Sequence, residues 1–229
     1  MTGSVLPPSN VEAPPGANAS TTFPWPPASG AEAPGAFFRT WWDSITRPAD
    51  FFRCMPESAG TGPALLYYYI VGIILAVVEL FWGLAFALTI SAVAYLASLF
   101  ETLDLEPDAF SPIIEFLLAP AELSLKLLLA FAVIHAMLVV VGGPRRDAGT
   151  TLRVLCYAYG ARAFSIVPVI GDLVGTVWMV AAAIIGLREA HRTDGWRAAL
   201  AVLLPVAAAI ALGLALLVLL AVIVGLRFR

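Results

Sequence analysis

Charge is scarce in this chain: Asp, Glu, Lys and Arg make up 13% of 229 residues. Lysine is nearly missing, with Lys126 alone beside twelve arginines. The 13 basic residues are set against 16 acidic ones, so no broad basic surface is available and nucleic-acid binding is excluded. Cysteine is rare too. Cys54 and Cys156 have no CxxC or Cys/His spacing, which excludes a zinc site and a disulfide framework. The chain has no GxSxG, HExxH, P-loop or GxGxxG, and its polar stretches have no paired carboxylates or Ser/His constellation. No enzyme activity, cofactor or metal is therefore expected. The N-terminus has no basic stretch leading into a short apolar run and cleavage site, so the first membrane span is expected to direct insertion.

Apolar residues, by contrast, are abundant, at 60% with a mean hydropathy of +0.89. Composition this apolar belongs in lipid. Arginine in place of lysine, together with plentiful Ala, Gly and Pro, suggests a GC-rich, bacterial genome.

Residues 1–35 hold eight of the seventeen prolines among Gly, Ala, Ser and Thr, and are expected to form a disordered tail, with FPWPPA at 23–28 as a spacer. In residues 36–58, Phe37, Phe38, Trp41, Trp42 and Ile45 recur at helical spacing opposite Arg39, Asp43 and Ser44. That pattern predicts an amphipathic helix lying at the membrane surface and broken by Pro48. Apolar spans follow at about 64–99, 121–141, 151–167, 172–188 and 198–224. The first is read as one overlong helix, with a hairpin folding near Trp82-Gly83 as the alternative, and the acidic loop ETLDLEPD follows it.

The third and fourth spans come from YAYGARAFSIVPVIGDLVGTVW, residues 157–178. Pro168, Gly171 and Asp172 predict a turn there, with Asp172 capping the helix that follows. Arginine supports the same division, because the rich flanks are 39–53, 145–153 and 188–197. Cytoplasmic flanks carry such residues, so the chain must cross an even number of times between the last two. The expected fold is an all-α integral membrane protein, a five-span helical bundle with a disordered Pro-rich tail and an interfacial helix, N-terminus cytoplasmic. A single tilted or re-entrant segment over 151–187 is the four-span alternative.

Ionisable side chains within lipid are costly, which marks them as candidates. Counted at 1.5 Å per residue from the cytoplasmic ends, Glu79 lies about 22 Å deep and Lys126 about 24 Å, predicting a contact, with Glu122 as a competing partner. His135, at about 10 Å, and Arg162, at about 15 Å, could share a hydrated pocket with Tyr157, and the simpler reading is that each makes interhelical hydrogen bonds that fix the packing. Small residues such as Gly171 and Gly175 suit close helix packing.

The Trp-rich preamble with Pro48, IHAMLVVVGG at 134–143, and the block 151–205 carrying Tyr157, Pro168, Gly171, Trp178, Gly186, His191 and Pro205 together resemble the Yip family. These are multi-span membrane proteins named for interaction with Ypt/Rab GTPases in eukaryotes and present in bacteria. The resemblance covers roughly 41–224 and implies a bacterial-type member with five spans and a cytoplasmic N-terminus. Here RPADFF at 47–52 replaces the eukaryotic members' Asp-Leu-Tyr-Gly-Pro, so GTPase partnership is not carried over. The expected role is a non-catalytic membrane scaffold or interaction protein in the bacterial inner membrane. Its partners would be membrane lipids, other membrane proteins or a second copy. The alternative is a small transporter or channel subunit using Glu79, His135 and Arg162.

Overall fold

In the computed structural model, residues 23–27, 29–57, 60–98 and 110–227 are described. Their regular elements are all helical, a 3-10 turn (Gly30–Glu32) followed by α1 (Ala33–Thr46), α2 (Pro48–Arg53), α3 (Gly62–Ser98), α4 (Ser111–Val140) and α5 (Ala148–Ala158) in order. A 3-10 segment (Tyr159–Ile166), α6 (Ile170–His191) and α7 (Gly195–Arg227) complete the chain. Four helices, α3, α4, α6 and α7, are long and apolar enough to cross a membrane. The acidic loop at 101–108 lies outside the described residues.

The α3 helix is one unbroken rod of 37 residues, about 55 Å against a hydrocarbon core of about 30 Å. It packs against α4 through glycines. A Cβ on Gly72 would stand 2.5 Å from a Leu123 methyl, and one on Gly83 would stand 2.7 Å from Pro112. Helices approach this closely in lipid only where a side chain is missing. The α4 helix starts at Ser111, ten residues before the expected span, and carries Pro120 in its interior. Proline does not stop it because lipid offers no water to a broken ladder, so the helix continues and Ser124 donates to the Pro120 carbonyl at 2.6 Å.

Between Asp147 and His191 the chain doubles back. Gly171 lies on Phe164, Gly175 on Ala161, Gly186 on Val154, and His191 beside Thr151. These pairs march in opposite directions along two antiparallel arms, so the region is not one rod. The α5 helix and the 3-10 segment together reach about 32 Å, matching the roughly 33 Å of α6. An all-α first arm of equal residue count would fall a few ångströms short. The turn differs from expectation. Asp172 is in the first turn of α6 and does not cap it, while Val169 holds the cap position at φ 67° with Ile170 N bonded to the Pro168 carbonyl. This is a positive-φ γ-turn, strained for a β-branched residue. Gly171 is required for space, because a Cβ there would overlap the Phe164 carbonyl.

Residues 1–22 of the expected tail lie outside the described residues, and two N-terminal stretches after them make contacts that the sequence did not announce. Within the supposed tail, Trp25 is only 5% exposed and its indole donates to the Pro63 carbonyl at 2.7 Å, while Phe23 packs on Phe51 and Tyr157. The helix expected to lie on the membrane surface packs one of its faces against the bundle. Trp41 donates to the Gly160 carbonyl at 3.0 Å and Trp178 donates to Ile45 at 3.0 Å. Thr40 and Ser44 are buried on that face because their hydroxyls return to the Ala36 and Trp41 carbonyls. Only Phe38 and Trp42 of the expected apolar stripe point outward. Pro48 does break the helix, and α2 begins on it.

Candidate functional site

Two polar groupings stand out in this apolar molecule. The first is the end of the bundle where the three arginine-rich flanks meet. Glu57 accepts from Arg146 at 2.6 Å and pairs with Arg192 at 3.2 Å, while Arg53 pairs with Glu189 at 3.1 Å. Beneath them Arg153, 1% exposed, donates to the Pro56 carbonyl at 2.9 Å, the Glu57 carbonyl at 3.1 Å and Thr150 Oγ1 at 3.0 Å. A guanidinium with this many fixed acceptors clamps the loop before α3 onto α5. Asp147 caps α5, accepting from the Thr150 amide at 3.2 Å and hydroxyl at 2.6 Å. Those two bonds hold its carboxyl below the ordinary carboxylate range.

The second grouping lies farther along α3 and α4. Two cavities of about 620 and 610 Å³ share Glu79, Glu122 and Lys126 in their walls. The smaller extends past Arg162 and Tyr159 to α6 and α7, and the larger includes Glu115. Lys126 pairs with Glu122 at 2.6 Å rather than with Glu79, and Glu79 has no ion pair within 4 Å among the described residues. The register explains the correction. With Gly72 facing Leu123 and Gly83 facing Pro112, Glu79 lies level with Phe116, ten residues or about 15 Å from Lys126 along the axis. Arg162 reaches Asp172 Oδ1 at 3.1 Å and Thr176 Oγ1 at 2.7 Å, tying the hairpin arms near their turn.

His135, Arg162 and Tyr157 do not share a pocket. His135 Nδ1 meets Thr151 Oγ1 at 3.0 Å, and Thr151 meets His191 Nε2 at 2.9 Å, a chain linking α4, α5 and α6. Tyr157 faces the other way, its ring 5.4 Å from each of Phe23, Phe51 and Tyr67. Pro168 forms the turn and lines neither cavity.

Sequence reasoning passed over Arg153, Thr151 and Glu57. A signal for Arg153 existed. Thr150, Arg153, Val154, Tyr157 and Ala158 repeat at helical spacing, which places a cation on the buried face of α5. Thr151 and Glu57 carry no such mark, since each gains its partners from residues distant in the chain.

No curated protein and no solved structure matches the chain. A model of the Yip1 domain matches residues 42–217, which takes in the hairpin, the histidine chain and both cavities, and the chain belongs to that family.

Proposed function

We propose that the protein is a non-catalytic membrane scaffold of the bacterial inner membrane. It crosses five times with its N-terminus on the cytoplasmic, arginine-bearing side. The apolar faces of α3, α4 and α7 are its contact surfaces for neighbouring helices, lipids or a second copy. The observation that carries this reading is α7, where residues 206–224 are exposed throughout and only Val206 and Ala209 border a cavity against the other helices. A nineteen-residue apolar surface of that kind is a place for other membrane components. The composite arm of α5 and the 3-10 segment supports a fifth crossing, since its length of about 32 Å suits the hydrocarbon core. Meeting of the arginine flanks at one end supports a shared compartment. A fluorescent protein fused after Arg229 should stay dark in a bacterial host, with an alkaline phosphatase fusion active. Bright fluorescence would return the count to four.

A transport role has one observation in its favour, the cavities bearing Glu79 and Arg162. Against it, Lys126, Glu122 and Arg162 are spent on local pairs, and His135 lines neither cavity. Purified protein in liposomes is expected to leave ion and proton flux at the protein-free level. A selective conductance lost on Glu79→Gln would replace the scaffold with a transporter.

A further inference from the structure

The two cavities that share Glu79, Glu122 and Lys126 differ in character. The first carries three carboxylates, Glu79, Glu115 and Glu122, against one cation. The second runs on along apolar walls of α4, α6 and α7, including Leu129, Val133 and Val206. Their order along α4 is directional. Glu115 and the level of Glu79 come first, Lys126 lies deeper, and Leu129 and Val133 lie one and two turns deeper still, toward the arginine end. Glu79 has no ion partner of its own within 4 Å among the described residues, and the Lys126 side chain is 66% exposed.

An aminophospholipid has the same order, with an ammonium outermost, a phosphate beneath it and acyl chains below. We propose that the joined cavities hold one such lipid from the leaflet opposite the arginine end. Its ammonium sits on Glu79, its phosphate on Lys126, and a chain lies along Leu129 and Val133. The carboxylate excess repels a lipid whose headgroup bears only negative charge. A primary ammonium donates hydrogen bonds to Glu79, whereas a quaternary one has no N–H to donate. The site touches α7 only at its near end, Pro205, Val206 and Ala209, while the exposed residues from 210 to 224 carry the scaffold reading, so its failure leaves that reading standing.

The test uses the full chain, stripped of lipid in mild detergent and offered equal amounts of phosphatidylethanolamine, phosphatidylcholine and phosphatidylglycerol, with retention read by native mass spectrometry. One phosphatidylethanolamine should be retained about fivefold over either competitor. Glu79→Gln should reduce its advantage over phosphatidylcholine to about one, while Glu32→Gln, far from the cavity, leaves it unchanged. Leu129→Trp fills the apolar part without altering a charge and should lower retention of all three lipids, which keeps the test valid if the Glu79 variant folds poorly. Preference for phosphatidylglycerol, equal retention of the three, no retained lipid, or an undiminished preference in Glu79→Gln overturns the proposal.

Discussion

Leu187 in α6 and Leu216 in α7 both belong to helices apolar enough to cross a membrane, yet the first is 0% exposed and the second 56%. Around Leu187 the bundle is closed: Gly186 lies against Val154 and Phe52, and His191 is buried beside Thr151. Around Leu216 the helix stands alone. Hydropathy registers only that both residues leave water. Whether protein or lipid replaces that water is decided by small residues and polar anchors, because lipid tails offer apolar contact as good as a neighbouring leucine. The closed half has both devices, glycines at three hairpin crossings and arginines clamping the loops. The open half has Gly213, with nothing within 4 Å of its would-be Cβ.

Glycine substitutions test that contrast most directly. Gly171→Ala drives a methyl into the Phe164 carbonyl, a backbone atom that moves only if the hairpin arms separate. A loss of about 2 kcal/mol is expected. Gly213→Ala meets open space and gains helix propensity, so a change between zero and a gain of about 1 kcal/mol is expected. Thermal unfolding of both variants in the same detergent measures the difference. Equal effects would mean that α7 is packed in solution as tightly as α6.

The sequence carried the closed half unevenly. The doubling back was legible because its signals are local: Pro168 and Gly171 punctuate the run, and arginines mark both its borders. The unity of α3 was legible from its unbroken apolar run. The fate of Phe23 and Trp25 was not, since two aromatics in a Pro-rich stretch do not reveal that Trp25 will bond to Pro63, 38 positions on. The 3-10 segment had no local mark either, being set by how closely Gly171 and Gly175 of α6 approach it. Depth counting misplaced the Glu79 and Lys126 contact because it assumed that α3 begins level with the end of α4, while their glycine contacts slide one along the other. In the candidate site, residue types were legible and pairings were not, for pairing depends on that slide.

Asp147 sharpens the contrast at its gentlest point, the rim of the closed half. Its carboxylate accepts two bonds from Thr150 that exist only when α5 is formed. They depress its folded pKa below the unfolded carboxylate value, so the cap's contribution is complete above that unfolded value, near pH 4. The contribution fades as pH falls through the folded value. Asp147→Ala should therefore cost about 1 kcal/mol at neutral pH. The gap between variant and parent should narrow on acidification below about pH 4, as the parent's carboxyl is protonated too. Melting measured from pH 7 down to pH 3 reads this directly. A gap that stays constant across that range would assign the loss to the shape of the loop rather than to the carboxylate.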